Sequence, residues 1–192
     1  MGKKVNFGKA IVDVSGIVFA VLLALWLENW MQEKEKNDLA QEISSRITIE
    51  IQENRTELVS AIDENQTVIV AINSYLSADE KDLQQLSDTQ FFATNSSDAA
   101  WVSAKMTNSI TLMPLDQIRA LADLYETQKY HTNYNQNFFR GIAELMVVIQ
   151  YEEDKTRALS TYMMNISISN SIGQQLLAKY DSYLGIEDDS AE

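Results

Sequence analysis

From residue 10 the chain reads AIVDVSGIVFAVLLALWLENW, an apolar stretch whose only charges are Asp13 and Glu28. At about 1.5 Å per residue it predicts a helix of roughly 30 Å, the thickness of a bilayer's hydrocarbon core. Beyond it the pattern becomes periodic. Leu39, Ile43, Ile47, Ile51, Leu58, Ile62, Ile69, Ile72 and Leu76 recur near the helical period, and neither proline nor glycine falls between Met31 and Leu76. The span is therefore expected to continue directly into a long stalk helix that packs one face against other helices.

Ser77 and Glu80 have capping-box spacing, which predicts the end of the stalk and a short helix through about Phe92. Asn95, Ser96, Ser97 and Asp98 form a loop that caps a helix around Trp101. Pro114 suits the first turn of another helix, where its missing N–H costs nothing. That helix is expected to bury Leu115, Ile118, Leu121, Leu124 and Tyr125 and to run through Phe138, Ile142, Leu145 and Ile149 to about Ser160. Its polar middle, residues 131–137, is either a kink or an exposed stretch. A last helix over residues 171–184 carries Leu176, Leu177, Tyr180 and Leu184. The expected fold is all-α: one N-terminal transmembrane helix continuing into a stalk and an antiparallel helical bundle. Its parts are a basic cytoplasmic N-terminus (1–9), the span (10–30), an exported stalk and bundle (31–184) and an acidic, flexible tail (185–192).

Composition agrees with one helical domain and no second one: 192 residues, 45% hydrophobic, with 6 glycines and 1 proline. All acidic residues lie from Asp13 onward, whereas Lys3, Lys4 and Lys9 precede it. Those three lysines place the N-terminus in the cytoplasm and the bundle outside, at a bacterial inner membrane, with the bilayer itself as the first partner. The acidic remainder repels nucleic acid, so no nucleic-acid partner is expected. With no cysteine, disulfides and thiolate metal sites are excluded. The segment after Leu23 is too bulky for a signal-peptide cleavage site, and Trp26 and Trp30 suit the outer interface, so the anchor is expected to stay. Asn54, Asn65, Asn95 and Asn165 open glycosylation tripeptides, as chance allows in a chain rich in Ser, Thr and Asn.

Within the span, Asp13 lies one turn after Lys9. It either pairs with that lysine at the inner headgroups or sits partly immersed, where a carboxylate signals a proton relay or a polar contact with a partner helix. Gly16, Ala20 and Ala24 repeat every four residues near the same face and offer close approach to another helix. Asp13, Gly16, Ala20 and Ala24 are thus the candidate helix–helix interface, for a second copy or another membrane protein.

The string ALWLENWMQEKEK, residues 24–36, resembles a group of short, uncharacterised bacterial single-pass membrane proteins. In these an acidic residue stands early in the span, which ends in A-L-x-[IL]-x-N-W-x-x-E. The matching positions are Asp13, Ala24, Leu25, Leu27, Asn29, Trp30 and Glu33, although the relatives usually carry Glu where this chain has Asp13. A second string, residues 99–128, is similar to the W-x-x-A-x-x-T-x-x-[IL]-x-x-[ML]-P segment of like exported domains. The resemblance covers about a third of the chain and implies a single-pass membrane protein with a helical domain. It implies no activity.

Reaction chemistry is sparse. His131 is the only histidine, so it cannot assemble a His-based metal site or catalytic dyad. The carboxylate runs Glu152–Glu153–Asp154 and Asp79–Glu80–Asp82 lack accompanying ligands and read as solvated faces. No phosphate loop, dinucleotide fingerprint or nucleophile elbow is present. Catalytic residues, metals and cofactors are accordingly expected to be none. Trp101, Tyr125, Tyr130 and Tyr134, with Asn108 and His131, either line a ligand groove or form bundle core. The pattern leads to a non-enzymatic, membrane-anchored scaffold or interaction module that self-associates through span and stalk. Its alternatives are an accessory subunit of a transport or ion-driven complex, with Asp13 as functional carboxylate, and a ligand sensor.

Overall fold

A computed structural model of the chain describes residues 7–79, 86, 89–151 and 155–186, with the backbone alone at residues 7–14, 150 and 151. Apart from the segment 78–98 and short turns, the described residues are helical, with no strand among them. The first helix, α1 (Phe7–Ser77), runs 71 residues without a break, about 106 Å of helix. An extended strap, residues 89–98, precedes α2 (Ala99–Met106) and a 3-10 turn (Ser109–Leu112). The two remaining long helices are α3 (Leu115–Tyr151) and α4 (Lys155–Leu184).

The N-terminal third of α1 carries the one stretch among the described residues that is long and apolar enough to cross a membrane. None of that window is buried within the protein. Phe19, Trp26 and Trp30 are more than half exposed. A core helix of a water-soluble domain would have these side chains covered, so the burial pattern separates this stretch from the bundle.

From Ile47 onward α1 becomes a seam. Along one stripe lie the buried Ile47, Ile51, Asn54, Leu58, Asn65, Val68, Ile72 and Tyr75, spaced three, four or seven apart, with the buried Glu50 beside Ile51. Cross-helix hydrogen bonds give the directions of its partners. Gln117 Nε2 reaches Ser44 Oγ at 3.1 Å and Tyr125 OH reaches Glu50 at 2.7 Å, so α3 climbs in parallel with α1. Asn170 Nδ2 donates to the Ile62 carbonyl at 3.1 Å, and Asp181 pairs with Arg55 lower down, so α4 descends. The antiparallel packing is therefore that of α4 against the other two long helices. Because α1 and α3 run the same way, the chain must return between them, and the strap and α2 make that descent.

Apolar contact forms two layers. Near the span, Ile47, Ile51, Leu58, Trp101, Met113, Leu121, Leu124 and Leu176 pack together. At the far end, Val68, Ile72, Phe91, Phe138, Leu159, Tyr162 and Ile166 do so, with Phe91 set edge-on to Phe138 at a centroid distance of 4.9 Å. Gly173 lets α4 approach α1 closely, since a Cβ there would lie 3.3 Å from Leu58 Cδ1.

Three details depart from the periodicity reading. Residues 89–98 are extended, so no helix continues through Phe92; the remainder of that expected helix lies mostly outside the described residues. The long helix from Pro114 ends at Tyr151 rather than near Ser160, and α4 opens at Lys155 rather than residue 171. Its Ser- and Asn-rich stretch is helical, with side chains bonding back one turn: Asn165 to the Thr161 carbonyl, Ser167 to that of Met163. Residues 131–137 are not simply an exposed stretch, although Asn133, Gln136 and Asn137 are exposed. The helix is continuous there, and His131 and Asn135 are buried.

Candidate functional site

The most elaborate chemistry lies where the strap crosses α1. Asn54 and Asn65 each grip one strap residue by its backbone. Asn65 Oδ1 accepts the Phe92 N–H at 2.9 Å, while its Nδ2 donates to the Phe92 carbonyl at 2.8 Å. Asn54 repeats the pattern on Ser97, at 2.8 and 2.7 Å. An asparagine side chain ends in the same amide as a peptide group, so each acts as one rung of a sheet ladder on a helix that has no free backbone groups to offer. The spacing matches. The eleven positions between the two asparagines rise about 16 Å along a helix, and the five between Phe92 and Ser97 span about 16 Å of extended chain.

Below the second clip the network widens. Glu50, 7% exposed, accepts from Tyr125 OH through one oxygen and through the other from Ser97 Oγ at 2.8 Å and the Ala100 N–H at 2.9 Å. The last of these satisfies one of the open N–H groups at the start of α2. Gln128 Nε2 donates to the Ser97 carbonyl, and its Oε1 accepts from Tyr180 OH at 2.7 Å. Burial, reinforced by the neighbouring Glu50, pushes the Tyr125 phenol well above the ordinary tyrosine range, and burial raises Tyr180 as well. Both phenols thus remain protonated donors. The Asn54 clip, a carboxyl, a carboxamide and two phenols tie the strap, α1, α2, α3 and α4 at the level of Ser97, while the Asn65 clip holds the strap to α1 about 16 Å higher.

A smaller cluster joins α3 to α4. Ser169 Oγ donates to Asn135 Oδ1 at 2.6 Å, and Asn135 Nδ2 lies 3.2 Å from His131 Nε2. His131 Nδ1 is the one buried side-chain polar atom without a hydrogen-bond partner among the described residues. Burial lowers the imidazole's pKa from 6.5 to about 4, so the ring is neutral at neutral pH.

The six residues expected to frame an aromatic groove occupy different places. Trp101 and Tyr125 are buried and stacked, 5.4 Å apart with planes 2° from parallel, as part of the core near the span. His131 belongs to the polar cluster, and Tyr134 bonds the Asn165 side chain at 3.0 Å. Tyr130 points outward, and Asn108 stands exposed in a left-handed turn before the 3-10 segment. The structure does not bring these six together around one cavity. In the span, Gly16 has open space about its Cα and Ala20 and Ala24 are exposed, so the stripe is uncovered within the chain. The side chain of Asp13 lies outside the described residues.

A different groove, about 520 Å³, lies between α1 and α2 on the side toward the span. Leu39, Ile43 and Ile49 form one wall and Ala100, Ser103 and Ala104 the other, with Glu50 between them. Glu42, Arg46 and Glu53 stand along its α1 wall, and Arg46 is bonded to Glu42 at 2.7 Å. Among the described residues no group of three or more His, Asp or Glu side chains is placed to hold a metal ion.

The residues that periodicity did not single out are Glu50, Asn54, Asn65, Ser97 and Gln128. One signal was available: Asn54 and Asn65 fall in register with the apolar stripe, where a polar residue must find a buried partner. Their glycosylation pattern has no structural counterpart, because both amides are buried and bonded. No protein-family model, no curated protein and no solved structure matches the chain.

Proposed function

We propose that this protein is a bilayer-anchored helical scaffold: a non-enzymatic interaction module that self-associates through its span and the lower part of its stalk. One observation carries the reading. The apolar stretch and the bundle seam belong to one unbroken 71-residue helix, exposed over its first part and buried along a stripe over its last. Such a helix couples whatever the span touches to the bundle without an intervening hinge. The richest polar network is spent on holding strap, α1, α2, α3 and α4 together, which is what a rigid spacer needs.

In this reading the three leading lysines stay in the cytoplasm and the acidic bundle stands outside a bacterial inner membrane. The resemblance of residues 24–36 to short bacterial single-pass proteins supports the same placement. In-situ crosslinking in native membranes is the test. The scaffold reading expects the chain to be captured with itself or with a fixed neighbour, and a chain that stays strictly monomeric with no neighbour overturns it.

A further inference from the structure

We propose that the bundle carries a built-in parting plane: a tier of buried polar side chains, locked by His131, at which the far half opens in acid while the half near the span stays folded. This opening does not depend on how copies of the chain meet in the membrane.

The two apolar layers share no residue. Between them each long helix turns polar on its buried face. Asn65 on α1, Gln128, His131 and Asn135 on α3, and Ser169 and Asn170 on α4 are each 6% exposed or less. Continuous apolar burial makes neighbouring turns of a bundle fold as one unit, and a tier without it lets the layers on its two sides open separately. The near half has further ties, in the Glu50 network and in the Arg55–Asp181 and Lys179–Asp123 pairs.

His131 makes the tier sensitive to acid. Its Nε2 accepts from Asn135 Nδ2 at 3.2 Å, and Ser169 Oγ, 3.4 Å from the same nitrogen, donates to Asn135 Oδ1. The proton of the neutral ring is then on Nδ1, which has no partner. A second proton turns Nε2 into a donor facing the amide N–H that it accepts in the neutral state. Rotating the Asn135 amide restores an acceptor there but leaves Nδ1–H unpaired and a full charge buried.

No counter-charge is at hand. At this height α1 carries Asp63 and Glu64, both exposed, and α3 carries Lys129 and Tyr130, also exposed, and Tyr134, which bonds Asn165. The strap from Phe91 to Ser97 holds no ionisable side chain. Between Arg157 and Lys179, α4 holds only Tyr162, which donates to the Thr89 carbonyl. Burial therefore lowers the imidazole to about 4, against a smaller opposing effect of the Ser169 backbone. Opening frees the ring to take up a proton at its ordinary 6.5, so acid drives opening below pH 6.5 and the effect is complete below about pH 4.

Hydrogen exchange of the full-length chain in detergent, read by mass spectrometry at pH 7 and 4.5 and scaled for intrinsic exchange, is the test. Residues 66–77, 136–149 and 158–168 report the far half, and residues 44–58, 115–125 and 173–184 the near half. In the wild type the opening constant of the far half should rise about fiftyfold between the two pH values, and that of the near half should stay within about threefold. That uneven rise is a test that needs no variant. His131→Gln and His131→Leu, each checked for wild-type helicity at pH 7, should lose the far-half rise, because neither side chain has a proton to take up. A far half that opens as much in acid with either variant assigns the response to other groups and overturns the proposal. So does a rise shared equally by both halves, or no rise in the wild type.

Discussion

Asn65→Ala isolates the strap. The side chain supplies both hydrogen bonds that hold Phe92, and alanine replaces neither. Each bond contributes about 1 kcal/mol net, and the N–H and carbonyl left behind are partly shielded from water, so the loss is about 2–4 kcal/mol. For a helical body of about 150 residues that corresponds to roughly 5–15 °C in Tm if the strap unfolds with the bundle. If the strap opens by itself, the same energy appears as faster exchange of its amides, on the order of a hundredfold, with little change in Tm. Hydrogen exchange read by mass spectrometry across residues 89–98, with thermal unfolding of the same detergent-solubilised chain, separates the cases. Asn65→Asp is the partner variant: it keeps an acceptor for the Phe92 N–H but sets a second oxygen against the Phe92 carbonyl. Gln66→Ala, an exposed neighbour, should stay within about 0.5 kcal/mol. If Asn65→Ala leaves both strap exchange and Tm as in the wild type, the clips do not hold the strap and the account of this network is wrong.

Three further outcomes follow from the geometry. Glu50→Ala strands Tyr125 OH, Ser97 Oγ and the Ala100 N–H together and should cost about 3–5 kcal/mol in denaturant unfolding, against about 1 kcal/mol for Tyr125→Phe; equal small losses would show the carboxyl to be dispensable. His131 has a folded-state pKa of about 4 against 6.5 when unfolded, so its contribution is complete above pH 6.5 and is lost as the pH falls toward 4. Between pH 7 and 4.5 the wild type should therefore lose about 2–3 kcal/mol more than His131→Gln, and superimposable pH profiles would contradict the buried neutral imidazole. At Gly173 alanine gains helix propensity but meets the ends of the Leu58 and Ile62 side chains, so Gly173→Ala should fall within about 1 kcal/mol of wild type. Gly173→Leu should lose at least about 2 kcal/mol by wedging α4 from α1, and a neutral result there would mean the helices are not in close contact.

Much of this architecture could be read from the chain, for a physical reason. A run such as Met31 to Leu76, with neither glycine nor proline, announces a long helix through its apolar periodicity, and the stretch from residue 10 is apolar on nearly every face, so α1 and its uncovered first part followed from pattern alone. Val68 and Tyr75, rather than the neighbouring Ile69 and Leu76, turned out fully buried, a shift of one position that periodicity cannot resolve. What stayed hidden depends on partners far away in sequence. Asn54 and Asn65 fall in register with the apolar stripe, but their partners stay hidden until a strap more than twenty positions later lies over them. His131 and Asn135 look like an exposed stretch until Ser169 arrives from α4. The course of the strap itself was masked by a capping-box spacing at Ser77 and Glu80, a local signal that says nothing of the extended chain beyond. Parallel α1 and α3 were equally out of reach, because helix length and loop length constrain neighbours joined by a turn but not those joined by a descending crossover.

The central claim is that an unbroken helix joins a membrane span to a bundle that associates with its own kind. The most direct test is the mass of the full-length chain extracted in native-lipid particles at low protein density. The account predicts assemblies of at least two copies of the 21.8 kDa chain. A uniformly monomeric chain under those conditions would contradict it.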